Sequence, residues 1–596
     1  MKKISLIGAL CLMVLSLFSQ DIPQAIRTQQ IYDYIDELAS DHVIHVNSAV
    51  QPYSRRFIAA KLKEANAKDS LLSKRQLQEL SFFMNEYSLE LDTVPDNWVE
   101  WTNRKTFNLS LAQPSFHYIT PNKLFKMSIK PILGMEIYAN QKGGVMHRWY
   151  GAELNMDIAH HVSVWGSLRD NSWNGTLMLS DKYYPTESNK IDGAKLTKSQ
   201  YLNLIPGVQY KEASYGGDFS DSKGGISVYD WWGSLSLQRE QIRWGDAYHC
   251  SNIISEHAPA VPMITIRLQP VRWFEFNYFH AWLVSNSIDS TDYYIEHYKE
   301  GTLKQHYRPR GKYMAANMFT FSPIRQLSFS FGNSIIYAER NVQAIYFIPI
   351  AFFKSLDHLM TKGLGVENQN SQVFFTINTR NLKHTNFYAS LFVDEFSISR
   401  LKASNPQHNL LSYLVGAKLS NWPVDGLSAT FEFTRSNIAC YKHSIDVLAY
   451  TSNGYNLGHY MGDNAQTIYA ELKYKPVRGL DLKLSYTNQT KYNCYDYVRR
   501  EISNVISQKP YNEVTYKNDV VAFDAVYQIF SGCYAMLNVQ WNNARGNAPT
   551  SERIAGEDRG KAGGNYIETP LQGDELAAYY LNRYCPVFWQ GKNWSV

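Results

Sequence analysis

Apolar residues recur along this chain with two different periods. Between Asp21 and about Val99 the spacing is helical: Ile31, Tyr34, Ile35 and Leu38 share one face, Ile58, Leu62 and Ala65 a second, and Leu77, Leu80, Met84 and Tyr87 a third. Start signals accompany the later runs. Ser54 follows Pro52, and Ser73 with Gln76 makes a capping-box pair, so a small three-helix unit with inward apolar stripes is expected.

From about Arg104 the period becomes two. Leu327, Phe329 and Phe331 alternate with Ser328 and Ser330; Leu427, Ala429, Phe431 and Phe433 alternate with Ser428, Thr430, Glu432 and Thr434. Phe274, Phe276 and Tyr278 stand against Glu275 and Asn277 in the same way. Within Gln466 to Thr487, Ile468, Ala470, Leu472 and Tyr474 share a face that Leu480, Leu482, Leu484 and Tyr486 resume, while Glu471, Lys473, Asp481 and Lys483 take the other. A soluble sandwich would alternate too, so the connections decide. Short turns built around Pro270, Pro323, Pro423 and Pro476 recur between long, tyrosine-rich polar loops, roughly 172–224, 286–310, 437–463, 488–518 and 543–593. Short turn alternating with long loop is the layout of an outer-membrane barrel, with brief periplasmic turns and long extracellular loops. The expected fold is therefore an all-β transmembrane antiparallel barrel of about 18 strands over 104–596, oily face to lipid, preceded by a small α-helical periplasmic domain over 21–103. The stretch Asn341 to Asn370 fits neither period and leaves the count open by two.

The N-terminus agrees with export. Lys2 and Lys3 precede the apolar run Ile4 to Phe18, so residues 1–20 read as a cleaved signal peptide and the cell outer membrane as the destination. That run is shorter than the ~20 residues a spanning helix needs, and a lipoprotein would need a small residue before Cys11, where Leu10 stands. Aromatics make up 14% of the chain, with 42 Tyr, as suits a surface oily on one side and wet on the other. The formal charge of +5, or +3 without Lys2 and Lys3, is too small to argue for nucleic acid.

Candidate chemistry is thin. Gly556 to Lys561 has the wrong spacing for a phosphate loop, with Ala562 where Ser or Thr is required. His160-His161 lacks a metal-site partner pattern, and no cofactor is implied. Asp394 and Glu395 are neighbours on a strand and face opposite sides. The lumen charges Glu471, Lys473, Asp481 and Lys483 either select solutes in a pore or pair across strands, and pairing is favoured. Cysteines show no C-x-x-C spacing; Cys440 and Cys494 fall in adjacent long loops and are the expected disulfide, while Cys533, beside a short turn, is expected free.

The run "SEHAPAVPMITIRLQPVRWFEFNYFHAWLVSNS" (Ser255 to Ser287), preceded by "WGDAYH" (Trp244 to His249) and followed by "KYMAANMFTFSPIRQLSFSFGNSIIYAER" (Lys312 to Arg340), resembles the capsule-assembly Wzi family. "IYDYIDELA" (Ile31 to Ala39) and "QPYSRRFIA" (Gln51 to Ala59) are similar to that family's helical leader. The resemblance implies an outer-membrane barrel of Gram-negative bacteria, lectin-like and non-enzymatic, that organises exported capsular polysaccharide at the cell surface. It implies no catalytic residue. One departure stands out: the chain stops at Gly591-Lys592-Asn593-Trp594-Ser595-Val596, too short a run to cross, so either the final strand is missing or closure is unusual.

Trp173, Tyr183, Tyr184 and Tyr201 in one loop, and Tyr293, Tyr294, Tyr298 and Tyr307 with Arg308 and Arg310 in the next, offer flat rings beside charged donors. Sugars stack on such rings and acidic glycans pair with Arg. Stiffening of the loops and an interfacial girdle would use the same tyrosines, and the resemblance tips the reading toward glycan. The expected partners are surface or capsular polysaccharide, outer-membrane lipid and polysaccharide export machinery. The other class of function is a pore or scaffold subunit of an export machine.

Overall fold

The computed structural model describes the chain from residue 21 onward except 27–28, 47, 94–97, 101–106, 111–114, 176–207, 214–215, 286, 298–302, 364, 366–367, 403, 494–506, 508–509, 550–560, 563–564 and 567–572. The expected signal peptide over 1–20 and most of the 556–561 loop lie outside the described residues.

Helices α1 (Gln29–Ser40), α2 (Arg55–Asn66), α3 (Lys74–Glu86) and the single turn α4 (Ser88–Leu91) form the N-terminal unit. Ser54 caps α2 by accepting the Phe57 N–H, and Ser73 and Gln76 complete a reciprocal capping box on α3. Ile31, Tyr34, Ile35, Leu38, Ile58, Leu62, Ala65, Leu80, Phe83 and Tyr87 share one core. The third stripe is corrected: α3 turns Gln76, Leu80, Phe83 and Tyr87 inward, leaving Leu77 exposed and Met84 half-buried.

The rest is a closed antiparallel barrel. Its strands, in chain order, are β1 (Ser115–Ile119), β2 (Phe125–Asn140), β3 (Gly143–Ile158), β4 (Val162–Gly175), β5 (Gly216–Asp230), β6 (Gly233–Glu240), β7 (Val261–Val271), β8 (Phe274–Leu283), β9 (Lys312–Ile324) and β10 (Leu327–Tyr337), followed by β11 (Gln369–Thr379), β12 (Thr385–Glu395), β13 (Leu410–Ser420), β14 (Leu427–Ser436), β15 (Ala465–Tyr474), β16 (Leu480–Tyr492), β17 (Val514–Phe530), β18 (Cys533–Gly546) and β19 (Gly591–Ser595). Each of β2 to β18 is one full stave and β19, between β18 and β2, is the eighteenth; β1 extends the sheet from the other end of β2 through Phe107–Ser110 to Trp98–Glu100, and Val208–Ala213 pairs with β5. β19 pairs with β18 from Gln540 to Asn543 and meets β2 at Asn140, where Val596 and Ala139 exchange backbone hydrogen bonds. β1 pairs with the opposite end of β2, from Lys126 to Ile129. The short C-terminal run therefore closes the wall by bridging β18 and β2.

The turns after β3, β5, β7, β9, β11, β13, β15 and β17 are short and share one rim. Pro270 and Pro323 each sit where the ladder shifts register just before a turn, because proline donates no ladder hydrogen bond. Long connections occupy the other rim, with the tight junction between β2 and β3 as an exception. Faces follow the alternation: Phe329, Phe331, Phe431, Leu472, Tyr474 and Leu484 are exposed outside, while Ser330, Glu432, Glu471 and Lys473 are buried inside. Among the described residues no helix is long and apolar enough to cross a membrane; the crossing elements are strands.

Two expected loops are partly strand. Residues 286–310 contain a hairpin, Ile288–His297 paired with Leu303–Pro309, and β4 runs on to Gly175, so Trp173 sits in the ladder opposite Gly217. The stretch after Asn341 supplies no stave until Gln369; it forms 3-10 turns and helix α5 (Phe353–His358) packed on the wall. Phe276 and Tyr278, expected against lipid, face outward but are buried beneath that stretch.

Candidate functional site

The barrel interior is occupied from both ends. At the short-turn end helix α1 presents Asp33, Asp36 and Glu37, with Asp41 just beyond it, to inward-facing basic side chains of the wall and its turns. Lys473 Nζ lies 2.6 Å from Asp33 Oδ2, and Lys418 Nζ and Arg380 Nη2 each 2.7 Å from the Asp36 carboxylate. Lys475 reaches Glu37 at 3.3 Å and His384 reaches Asp41 at 2.8 Å. Glu37 also pairs with Arg75 of α3, which holds Asp425 in the turn after β13 at 2.9 Å. Burial alone would push the Asp33 carboxyl up, but Lys473, Lys418 and Lys475 outweigh it and hold it down at about 2. Asp36, between Lys418 and Arg380, is likewise held well below the usual carboxylate range. Lys483, further along the wall, pairs with Asp524 at 2.9 Å. Of the expected lumen charges, Lys473 therefore pairs with the helix and with Glu471 at 3.6 Å, Lys483 pairs across strands, and several wall cations clamp the helices in place.

At the long-loop end, among the described residues, three connections fold inward, the last of them packing Cys585, Phe588 and Trp589 against Cys250, Tyr460 and Tyr516. Residues 241–260 add Arg243–Trp244 to Val50–Gln51 of the N-terminal unit, and then lay three successive backbone N–H groups, from Tyr248, His249 and Cys250, on the Glu432 carboxylate at 2.8, 3.2 and 3.3 Å. The Tyr388 hydroxyl donates to the same group at 3.0 Å. Residues 437–464 bring Tyr441 and Tyr450 against Phe392, with ring centroids 4.8 and 5.0 Å apart, and join Trp244, Ile253, Ile254 and Leu457 in one core. His249 stacks on Tyr469 at 4.2 Å, and burial, with His257 and Lys483 nearby, pushes its ring down to about 3. Cys440 is buried here as a free thiol; Cys494 lies outside the described residues, and Cys533 is free.

What remains accessible is the long-loop rim, above all the hairpin Ile288–His297/Leu303–Pro309. Alternation gives it two working faces. Tyr293 and Tyr307 meet edge to face at 6.0 Å on one. On the other, Tyr294 stacks on His306 at 5.1 Å, the Arg308 guanidinium lies 5.7 Å from the Tyr294 ring, and Arg308 pairs with Asp292 at 3.3 Å. Arg310 stands at the base, where its N–H donates to Ser287 O at 2.9 Å. The structure thus brings Tyr294 and Arg308 together, pairs Tyr293 with Tyr307, and places Trp173 on a different strand; Tyr183, Tyr184, Tyr201 and Tyr298 lie outside the described residues. Sequence reasoning missed His306 and the acidic face of α1. The carboxylates at 33, 36, 37 and 41 were readable as a second stripe opposite the apolar one.

No curated protein matches the chain. Among solved structures it is similar to Escherichia coli Wzi, described as an outer membrane protein involved in group 1 capsule assembly and a carbohydrate-binding β-barrel, at 12% identity over 88% of this chain and 94% of that one, with a TM-score of 0.48. It is also similar to Pseudomonas aeruginosa OprD (11% identity, 73% and 93% covered, TM-score 0.35) and Acinetobacter baumannii OccAB2 (10%, 72% and 93%, TM-score 0.39). The family model described as capsule assembly protein Wzi matches residues 195–548. That match takes in more than half of the sequence, from below β5 to the end of β18, and the chain belongs to the Wzi family of capsule assembly proteins.

Proposed function

We propose that this protein is a non-enzymatic outer-membrane barrel that binds and organises capsular or related surface polysaccharide at the cell surface. The observation that carries the reading is the filled lumen: helix α1 is ion-paired into one end and residues 241–260 and 437–464 pack the other, so the working surface is the long-loop rim. In a capsule-assembly family, that rim is where polysaccharide is met. The hairpin offers what an acidic glycan needs, with Tyr293, Tyr294 and Tyr307 exposed and Arg308 beside Tyr294. The short-turn rim is periplasmic in this reading.

The test is retention. Replacing Tyr293, Tyr294 and Tyr307 together with Ala removes three rings worth about 0.5–1.5 kcal/mol each beyond area, so affinity for isolated capsular polysaccharide is expected to fall about a hundredfold. The barrel should still reach the outer membrane and remain heat-modifiable, because the hairpin pairs only with itself. Unchanged polysaccharide retention in that variant, with shedding on deletion of 21–99, would move the function to the helical unit and favour a scaffold in an export machine.

A further inference from the structure

The stretch after β10 does not project from the rim. It lies flat on the outside of the wall, over the long-loop halves of β8, β9 and β10 and the start of β11, burying Phe276, Tyr278, Tyr313, Ala315, Ile335 and Tyr337 under Tyr346 and Phe353. The wall beneath it is polar where a lipid-facing wall should be apolar. Asn317 and Asn333, directly opposite each other, point outward, as do His280 and Ser371 on the flanking strands.

Those side chains satisfy the backbone of the strap. Asn317 Nδ2 donates to Pro349 O and Ala351 O at 2.9 and 2.8 Å, and Phe353 N–H donates to Asn333 Oδ1 at 2.7 Å. The Tyr278 hydroxyl donates to Tyr346 O at 2.8 Å, and Gln343 N–H donates to the Tyr337 hydroxyl at 3.2 Å. Ser371 Oγ donates to the Asp357 carboxylate at 2.6 Å, and the His280 ring stacks on Phe347 at 4.3 Å. The opposite side of the strap is apolar and open: Ile348, Ile350 and Phe352 are 49%, 71% and 53% exposed.

A water-facing loop needs no such arrangement, since water satisfies irregular backbone. Hydrocarbon does not, and irregular backbone at membrane depth survives only where protein groups take its hydrogen bonds. The height agrees. Asn317 and Asn333 lie as far from the short-turn rim as the exposed Leu133 lies along β2, and below the strap the same wall exposes Phe329, Phe331, Phe375 and Ile377. We propose that the strap from Gln343 to Ser355 is immersed in the acyl chains of the leaflet on the long-loop side, its backbone bonded to an outward polar stripe of the barrel and its Ile348–Ile350–Phe352 edge completing the lipid-facing surface. The partner it fits is lipid, by continuity with the belt around it.

Nitroxide labelling of the full chain in vesicles tests this. In a background whose other accessible thiols are serine, labels at Ile350→Cys, at Met135→Cys on the outer face of β2 and at Ile398→Cys in the connection after β12 are compared for collision with oxygen and with a water-soluble nickel chelate. The Ile350 label should match the Met135 label, oxygen-rich and nickel-excluded by about tenfold relative to Ile398. Nickel accessibility equal to that of Ile398 would overturn the proposal. Adding Asn333→Leu, which makes the wall itself lipid-compatible while stripping the Phe353 N–H of its acceptor, should raise nickel access at Ile350 several-fold with the barrel still heat-modifiable; no change would show that the polar stripe does not hold the strap.

Discussion

Removing Asp33 and Asp36 together, as D33N/D36N, should unseat the helical unit from the barrel. Their side chains are 10% and 22% exposed, and between them they neutralise Lys473, Lys418 and Arg380, which are 7%, 6% and 13% exposed. Stripping Lys418 of both its carboxylates costs about 3–5 kcal/mol; Lys473 keeps Glu471 at 3.6 Å and loses less, and the wetter Asp36–Arg380 pair adds about 1 kcal/mol. The two effects share Lys418, which lies 3.8 Å from Asp33 as well, so they do not simply add. A net loss of about 4 kcal/mol shifts docking by roughly a thousandfold. Planar-bilayer recording reads it: the parent should be silent and the variant should open intermittently, with trypsin cutting the α2–α3 segment in the variant alone. Adding Lys418→Met removes the cation left without a carboxylate and should restore part of the silence, because deleting both partners of a buried pair is far less costly than deleting one. A double variant as silent and as protease-resistant as the parent would refute the electrostatic clamp.

Acid should act on the same clamp. Because the folded pKa values of Asp33 and Asp36 are depressed, their contribution is fully present above the ordinary carboxylate range near pH 4 and is lost as pH falls toward about 2, so conductance should be unchanged from pH 8 to 5 and appear only in strong acid. Gly416→Ala should loosen the inward loop, since a Cβ there would meet the Tyr388 ring at 2.2 Å and push its hydroxyl from Glu432; an expected loss of about 1–3 kcal/mol is read as a lower temperature of heat modification. A protease tag inserted beside Tyr294 should be cut in intact cells and one beside Ile324 protected, and the reverse would invert the topology. Burial raises the Cys440 thiol, so it should resist alkylation in the native protein and react after unfolding without reductant; peptide mapping that joins it to Cys494 would contradict this.

The staves were legible because one side chain in two must tolerate lipid, and that constraint writes a period on the sequence, as in Leu327 to Phe331 and Ile468 to Tyr486. The strap was not, since its backbone follows no ladder and its inner side meets polar side chains. The trace it leaves is displaced: Asn317 and Asn333 interrupt the oily faces of β9 and β10, a defect that makes sense only with a cover. The hairpin is legible as aromatic but not as strand, because both of its faces are wet and mixed. On α1 the apolar stripe is plain, whereas an acidic stripe looks the same on a helix that faces solvent as on one that faces a wall of cations. What separates the two readings is a set of wall cations hundreds of residues away, beyond the reach of any local pattern.

The eighteenth stave also bears on the order of assembly. β2 follows the helical unit by a short stretch of chain, and β19, which joins β2 to β18, comes from the far end, so the last gap in the wall cannot be filled until β19 has arrived. Loop-closure entropy makes a contact of such separation the latest and slowest to form. With α1 delivered on the same chain as β2, the wall closes around helices already inside it, and no plug has to be threaded into a finished cylinder.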